Sequence, residues 1–133
     1  MNIDNAKPLV SFLWLGTPPR TTAQQRKHST RGHYRTLKHK VAVATLRAVA
    51  EKYAPKEPFK GPLVLDLDFY FEKAGVGPQP IPKTTRPDRD NLQKDMQDAL
   101  QVTGYFEDDA QIYNGRTGKW WADFGGIAVT IRR

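Results

Sequence analysis

Two aspartates, Asp88 and Asp90, stand two residues apart directly after Pro87, where a polar loop gives way to a predicted helix. In an extended segment this spacing places both carboxylates on one side of the chain. Carboxylates held close together repel one another and favour a bound cation, and Mg²⁺, with Mn²⁺ as the alternative, prefers oxygen ligands. Such an ion makes water nucleophilic near neutral pH and stabilises a leaving oxygen, which is what phosphodiester hydrolysis needs.

Further charged residues follow the aspartate pair at informative spacings. Lys94 lies four residues after Asp90, which predicts that both occupy one face of a helix. A lysine there can orient a water molecule or stabilise negative charge as it develops. Asp109 follows after a turn at Gly104, and it joins the pair only if the chain returns beside the start of the helix. The spacing alone does not fix that geometry.

A purely structural interpretation of these acids stays open on the residues alone. Asp90 followed by Gln93 fits a capping box, in which Asp90 is the N-cap of the helix. Asp108 and Asp109 fit a turn, because aspartate side chains bond to nearby backbone. A second such pair, Asp66 and Asp68, is predicted to face solvent on a strand or to pair with basic side chains.

The net charge of +7 comes from one segment of the chain. Between residues 20 and 40 no acid occurs, and outside this segment 14 basic and 14 acidic residues cancel. A concentrated basic segment is typical of polyanion binding, although a solvated basic loop and helix face is the alternative. The DNA-binding residues predicted from it are Arg20, Arg26, Lys27, Arg31, Arg35 and Lys38. Its three histidines lack the spacing of a helical metal site, and the chain has no cysteine for thiolate ligation or disulfides.

The elements that must position these residues are predicted from apolar periodicity. Strands are expected at 9–16, 63–71, 111–116 and 127–133, with a further candidate at 119–122, and helices at 33–53 and 91–102. The first strand has apolar residues on both faces, which favours a buried strand. Residues 74–87 hold four prolines and two glycines, which predicts a loop.

The order of these elements predicts an α+β fold, with a single mixed β-sheet of about four strands and two main helices packed on it. The length of 133 residues predicts one domain spanning residues 1–133. No apolar run approaches the roughly 20 residues of a membrane span, and the N-terminal flank does not resemble a signal peptide. We therefore expect no membrane partner and a cytoplasmic location.

The segment from Pro87 to Gln111 resembles the RusA family of Holliday junction resolvases. The shared pattern is D-x-D-N-L-x-K, then D-A-L, then a glycine-aromatic turn, then D-D-x-Q, over about 25 continuous residues. The early strand followed by Pro18-Pro19 and a basic stretch, together with the terminal strand, is similar to the ends of the family. One departure is that Arg20, rather than the asparagine frequent in the family, follows the two prolines.

The resemblance implies a homodimeric, Mg²⁺-dependent endodeoxyribonuclease that resolves four-way DNA junctions by paired symmetric nicks, in DNA recombination and repair. By position, it assigns the metal and catalytic aspartates to Asp88, Asp90 and Asp109, and a catalytic lysine to Lys94. It also implies a bacterial or phage source. The alternatives are a non-catalytic module that binds or coats junctions, and a related nuclease acting on other branched DNA.

Overall fold

The computed structural model describes residues 7–21, 27–29, 32–34 and 37–133, and for 27–29 and 32–34 it describes the backbone alone. The chain divides into two compact units. The sheet unit comprises residues 1–18, 59–84 and 108–133, and the helical unit comprises 19–58 and 85–107.

The sheet unit contains one mixed, six-stranded sheet. Its strands are β1 (Val10–Leu15), β4 (Leu63–Glu72), β5 (Ile81–Pro82), β6 (Ile112–Asn114), β7 (Thr117–Ala122) and β8 (Gly126–Arg132). They follow the order β1-β8-β4-β7-β5, and β6 also pairs with β4. The central strand β4 runs parallel to β6 and β7 and antiparallel to β8. This makes β4 the strand that fixes the register of the others.

The period-two pattern of β4 separates a core face from an open face. Leu67 and Phe69 are fully buried, whereas Asp66 and Asp68 between them are partly exposed. Leu67 lies opposite Val129 of β8, which is also fully buried, so the core face continues across the sheet. Each fully buried aliphatic or aromatic side chain contributes about 1.5–3 kcal/mol, which makes this face the main source of sheet stability.

The expectation of a buried first strand was wrong. Along β1, half-buried residues alternate with exposed ones, and Leu13 and Leu15 are 49% and 66% exposed. The strand lies at the end of the sheet and pairs with β8 alone among the described strands. Apolar residues on both faces of this strand therefore did not indicate burial on both faces.

The helical unit contains a short hairpin of β2 (Lys27–Ser29) and β3 (Gly32–Tyr34), followed by α1 (Leu37–Glu51) and α2 (Arg89–Val102). The two helices pack against each other. In α1 the buried apolar residues include Leu46 and Val49, whereas the apolar Leu37 and Val41 are exposed. The helix begins at Leu37 rather than at residue 33, because residues 32–34 pair as β3.

Helix α2 ends as its sequence predicts. Gly104 has φ +95°, and its N–H donates to the Gln101 carbonyl at 3.1 Å while Tyr105 N–H donates to the Leu100 carbonyl at 3.0 Å. This bond pair is the Schellman arrangement, which glycine adopts without the Cβ penalty of positive φ. The turn returns Tyr105 to the core, where its hydroxyl donates to the Ala50 carbonyl at 2.6 Å.

The predicted α+β class, with a mixed sheet and two main helices, is confirmed. The sheet has six strands rather than about four: the candidate at 119–122 is real and longer, and β5 lies inside the predicted loop at 74–87. A single domain over 1–133 stays a prediction. Neither of the two described helices is long and apolar enough to cross a membrane.

Candidate active site

The start of α2 carries Asp88 and Asp90 in different structural positions. Asp88 is the N-cap residue with φ −72° and ψ 145°, and its side chain makes no capping hydrogen bond. Asp90 lies inside the first helical turn, so the interpretation of Asp90 as the cap was wrong by two residues. Both side chains are exposed. The fold therefore places two carboxylates at this helix end, and the Asp88 side chain is not used in a capping hydrogen bond.

The helix supplies a suitable electrostatic setting for these acids. The N-terminal turn of a helix carries a partial positive charge, which stabilises nearby carboxylates by about 0.3–1 kcal/mol each. Lys94 is exposed and follows Asp90 by one helical turn, so the two side chains occupy neighbouring positions on one face. The helix thus presents Asp88 at its N-cap, Asp90 in its first turn and Lys94 in its second, all three exposed.

Asp109 begins a short 3-10 helix, Asp109–Gln111, in the sheet unit. The residue before it caps this helix: the Asp108 carboxylate accepts from Ala110 N–H at 2.9 Å, and the Gln111 side-chain oxygen accepts from Asp108 N–H at 3.1 Å. The turn interpretation therefore holds for Asp108, while the exposed Asp109 carboxylate takes no part in that capping box. The two neighbouring aspartates therefore differ in role: Asp108 caps the 3-10 helix, and Asp109 lies within it.

The predicted site residues are distributed over both units. Asp88, Asp90 and Lys94 belong to the helical unit, and Asp109 belongs to the sheet unit. Within the described residues, no group of three or more histidine or acidic side chains could by itself hold a metal ion. Mg²⁺ is commonly held by one or two carboxylates, with water and substrate phosphate completing its octahedral shell. The all-oxygen donor pair at Asp88 and Asp90 fits that requirement chemically.

The second aspartate pair, on the open face of β4, has structural partners. Asp68 accepts two hydrogen bonds from the Arg116 guanidinium, at 3.1 and 3.0 Å, and one from Trp120 Nε1 at 2.9 Å. Asp66 accepts from the Arg116 backbone N–H at 3.0 Å and pairs with Arg132 at 3.4 Å. The side-chain hydrogen bonds to Asp68 raise the pKa of Arg116. Of the two roles predicted for this pair, solvent exposure or pairing with basic side chains, the structure shows the second.

The predicted DNA-binding residues are only partly described. Arg20 and Lys38 are exposed, and both belong to the helical unit together with Asp88 and Asp90. Lys27 lies in β2, where the backbone alone is described. Arg26, Arg31 and Arg35 lie outside the described residues.

One feature of the sheet unit was missed by sequence analysis. A surface cavity of about 410 Å³, wide open to solvent, lies beside the 3-10 helix and is lined by Gly61, Pro62, Asp108, Ala110, Gln111 and Tyr113. The spacing of Asp108 and Gln111 signals a capping box, which would have located the 3-10 helix. Nothing in the sequence signals that residues 61 and 62 lie beside it, since that depends on the pairing of β4 with β6.

Comparisons with known proteins show what the chain is similar to. The family model of endodeoxyribonuclease RusA matches residues 16–132. A Lactococcus phage r1t protein, named crossover junction endodeoxyribonuclease rusA, is 39% identical over 70 residues, which is 51% of this chain and 53% of the phage protein. The aligned segment therefore spans about half the length of that curated relative.

Proposed function

We propose a function for this chain from one finding: it belongs to the RusA endodeoxyribonuclease family, whose model matches residues 16–132. The proposed function is hydrolysis of DNA strands at four-way junctions, by a metal-dependent endonuclease that nicks two strands symmetrically. The observation that carries this proposal is the start of α2, where two exposed carboxylates and Lys94 lie between the N-cap and the second helical turn.

Asp88 and Asp90 are the proposed ligands of Mg²⁺, or of Mn²⁺ in its place, and Asp109 is the proposed third carboxylate. When bound, the ion supplies an activated water and stabilises the leaving oxygen. Exposure of all three side chains suits this role, because part of the coordination shell must come from water and from the scissile phosphate. The absence of a capping hydrogen bond at Asp88 leaves its oxygens available as ligands.

Lys94 is proposed to stabilise the scissile phosphate during hydrolysis. Its ammonium group lies one turn after Asp90, where it can donate to a phosphate oxygen and stabilise the charge that develops during hydrolysis. The same group offsets the negative charge of the paired aspartates and eases the approach of the DNA backbone. Replacement by methionine would remove the charge and keep most of the side-chain volume.

The basic segment of residues 20–40 is the proposed backbone-binding surface. Arg20 and Lys38 project from the helical unit that also carries Asp88 and Asp90, and the remaining predicted residues extend the same stretch of chain. Cations there would bind phosphates and release counterions, so binding should weaken steeply with salt. Two symmetric nicks require two equivalent active sites, which a homodimer with two-fold symmetry would supply. A cytoplasmic location stays a prediction.

The test is cleavage of an immobile four-way junction beside a linear duplex of the same sequence, with and without Mg²⁺. The parent should nick the junction in paired positions, and only with metal. Asp88→Asn, Asp90→Asn and Asp109→Asn should each lower the rate by at least about a hundredfold, because each loses part of the charge that holds the ion. Junction binding without metal should remain within a few fold of the parent.

Asp123→Asn is the matched control, because Asp123 is also an exposed aspartate and lies outside the segment of residues 87–111 that resembles the family. It should cleave like the parent. Parent-like cleavage by the three site variants would refute the site assignment. A parent that binds junctions and never nicks them with either ion would instead indicate the non-catalytic module, and nicking of other branched DNA in preference to four-way junctions would indicate the related nuclease.

A further inference from the structure

The cavity beside the 3-10 helix lies entirely within the sheet unit and has a fixed frame. Gln111 donates from its side-chain nitrogen to the carbonyls of Phe59 and Gly61, at 3.0 and 2.9 Å. Its side-chain oxygen accepts from Asp108 N–H, so one amide group joins two walls of the cavity. Because these bonds tie residues about 50 positions apart in sequence, the cavity is set before any ligand binds.

The lining of this cavity combines an aromatic ring, apolar surface and one acidic group. Tyr113 of β6 is 63% exposed, so its ring is accessible to a ligand. Pro62 and Ala110 supply apolar surface beside it, and the Asp108 carboxylate adds hydrogen-bond acceptors. An aromatic face with apolar neighbours is a stacking platform for a planar ring, and a carboxylate accepts from exocyclic amino groups of bases.

The cationic side chain of Arg133 lies beside the cavity. The Arg133 guanidinium donates to the Lys60 carbonyl and lies close to Gly61, within 3.5 Å of where a Cβ would stand. Both Lys60 and Arg133 are exposed. Positive charge beside an aromatic cavity matches the two halves of a nucleotide, a planar base and an anionic phosphate.

We infer that this cavity is a nucleobase subsite, in which one unstacked base of the DNA substrate lies on Tyr113 with its phosphate near Arg133. This inference rests on the proposed function, because Asp109, a proposed metal ligand, stands between two residues that line the cavity. The base would therefore belong to a nucleotide close to the scissile phosphate. Branched DNA is suited to this, since bases at a branch point unstack at lower cost than those inside a duplex.

The experiment is a double-mutant cycle between Tyr113 and single bases of the substrate. Parent, Tyr113→Ala and Tyr113→Phe are titrated, without metal, against four-way junctions that carry one abasic site, moved stepwise through the nucleotides around the branch point. Anisotropy of a labelled arm measures Kd. Tyr113→Ala should weaken binding to the intact junction by roughly ten- to hundredfold, and Tyr113→Phe by less than about threefold, because phenylalanine keeps the stacking face.

The cycle locates the base. At one abasic position the affinity of the parent should fall as far as the affinity of Tyr113→Ala falls on the intact junction. Tyr113→Ala on that abasic junction should bind no more weakly than with either change alone. Additive losses at every position would overturn the inference, and so would an equal loss for Tyr113→Phe and Tyr113→Ala. Tyr53→Ala is the control, because Tyr53 is a partly exposed tyrosine of the helical unit.

A failure of the proposed function is distinguishable from a failure of the subsite. If the parent never nicks junctions with metal, the nuclease proposal fails, while the binding cycle still reports whether Tyr113 contacts a base. If the parent nicks and Tyr113→Ala binds and nicks as the parent does, the subsite alone is refuted. A supported subsite also predicts that the abasic position identified by the cycle lies within a few nucleotides of the mapped nick.

Discussion

Replacement of Asp68 by alanine removes the acceptor of three hydrogen bonds on the open face of β4. Two come from Arg116, at 3.1 and 3.0 Å, and one comes from Trp120 Nε1 at 2.9 Å. The Asp68 side chain is 15% exposed, whereas that of Arg116 is 64% exposed. The network therefore combines an inner hydrogen bond and an outer ion pair, which contribute differently to the free energy of unfolding.

The expected loss can be worked out from that difference. The ion pair with the exposed Arg116 is screened by water and contributes about 0–1 kcal/mol. The indole N–H of Trp120 is part-buried, so loss of its acceptor costs about 1–3 kcal/mol. The free energy of unfolding should fall by about 2–3 kcal/mol, which for a chain of 133 residues lowers Tm by roughly 6–12 °C.

Thermal melting followed by circular dichroism checks the value. Glu72→Ala is the matched control, because Glu72 is an exposed carboxylate of the same strand and should change stability by less than about 0.5 kcal/mol. Arg116→Ala should cost about 1 kcal/mol or less, since it leaves the Trp120 bond in place. A Tm for Asp68→Ala equal to that of Glu72→Ala would refute the stabilising role. Loss of junction cleavage in folded Asp68→Ala would refute a purely structural one.

Two further substitutions test the packing of the two units, one in each, and a third is a control for the second. Tyr105→Phe should destabilise by about 1 kcal/mol, because the Ala50 carbonyl loses the Tyr105 hydroxyl but keeps the hydrogen bond from Tyr53 N–H at 3.2 Å. Burial raises the pKa of Tyr105 from 10.0 to about 12. The stability advantage of the parent is therefore full below pH 10 and shrinks as the pH rises towards 12, and urea unfolding across that range measures it. Gly115→Ala should cost more than about 3 kcal/mol, because Gly115 has φ +142° and a Cβ would collide with the Leu65 carbonyl. Gly75→Ala, where φ is +84° and nothing lies within 4 Å, should cost only about 1–2 kcal/mol in melting experiments.

The elements predicted well from sequence are those long enough to show several repeats of one hydrophobic period. Strand β4 spans ten residues and α2 spans fourteen, and both were predicted to within two residues at each end. Strand β5 has two residues and the strands of the hairpin have three each, too few for any period to appear. Their pairing is set by partners elsewhere in the chain, which a local pattern does not contain.

Burial was predicted less well than secondary structure, because a periodic pattern does not say which of two apolar stripes faces the core. In α1 both Leu46 and Leu37 fit a helical period, yet the first is 3% exposed and the second 77% exposed. In β1 the same ambiguity leaves Leu15 mostly exposed. The arrangement of neighbouring elements decides such cases, and apolar side chains are common on protein surfaces.

The two aspartate pairs show why the candidate site could be predicted only in part. Asp66 and Asp68 have the same spacing as Asp88 and Asp90, and an extended chain would place each pair on one side. On β4 the parallel pairing with β7 brings Trp120 beside Asp68, and the chain just before β7 supplies Arg116, so long-range register satisfies the carboxylate. At α2 the first aspartate is the N-cap residue and the second has entered the helix, so the two no longer belong to one extended segment.

A carboxylate that the fold satisfies resists a bound ion, because a cation would have to displace an arginine and an indole donor. The exposed Asp88 carboxylate makes no capping hydrogen bond that a cation would have to displace, and hard divalent cations prefer such oxygen ligands. The difference between the pairs is therefore one of available partners rather than of spacing. It follows that Arg116→Ala should not convert Asp68 into a working substitute for Asp88, since Trp120 would still occupy it. Restored cleavage in an Asp88→Asn, Arg116→Ala double variant would contradict this reasoning.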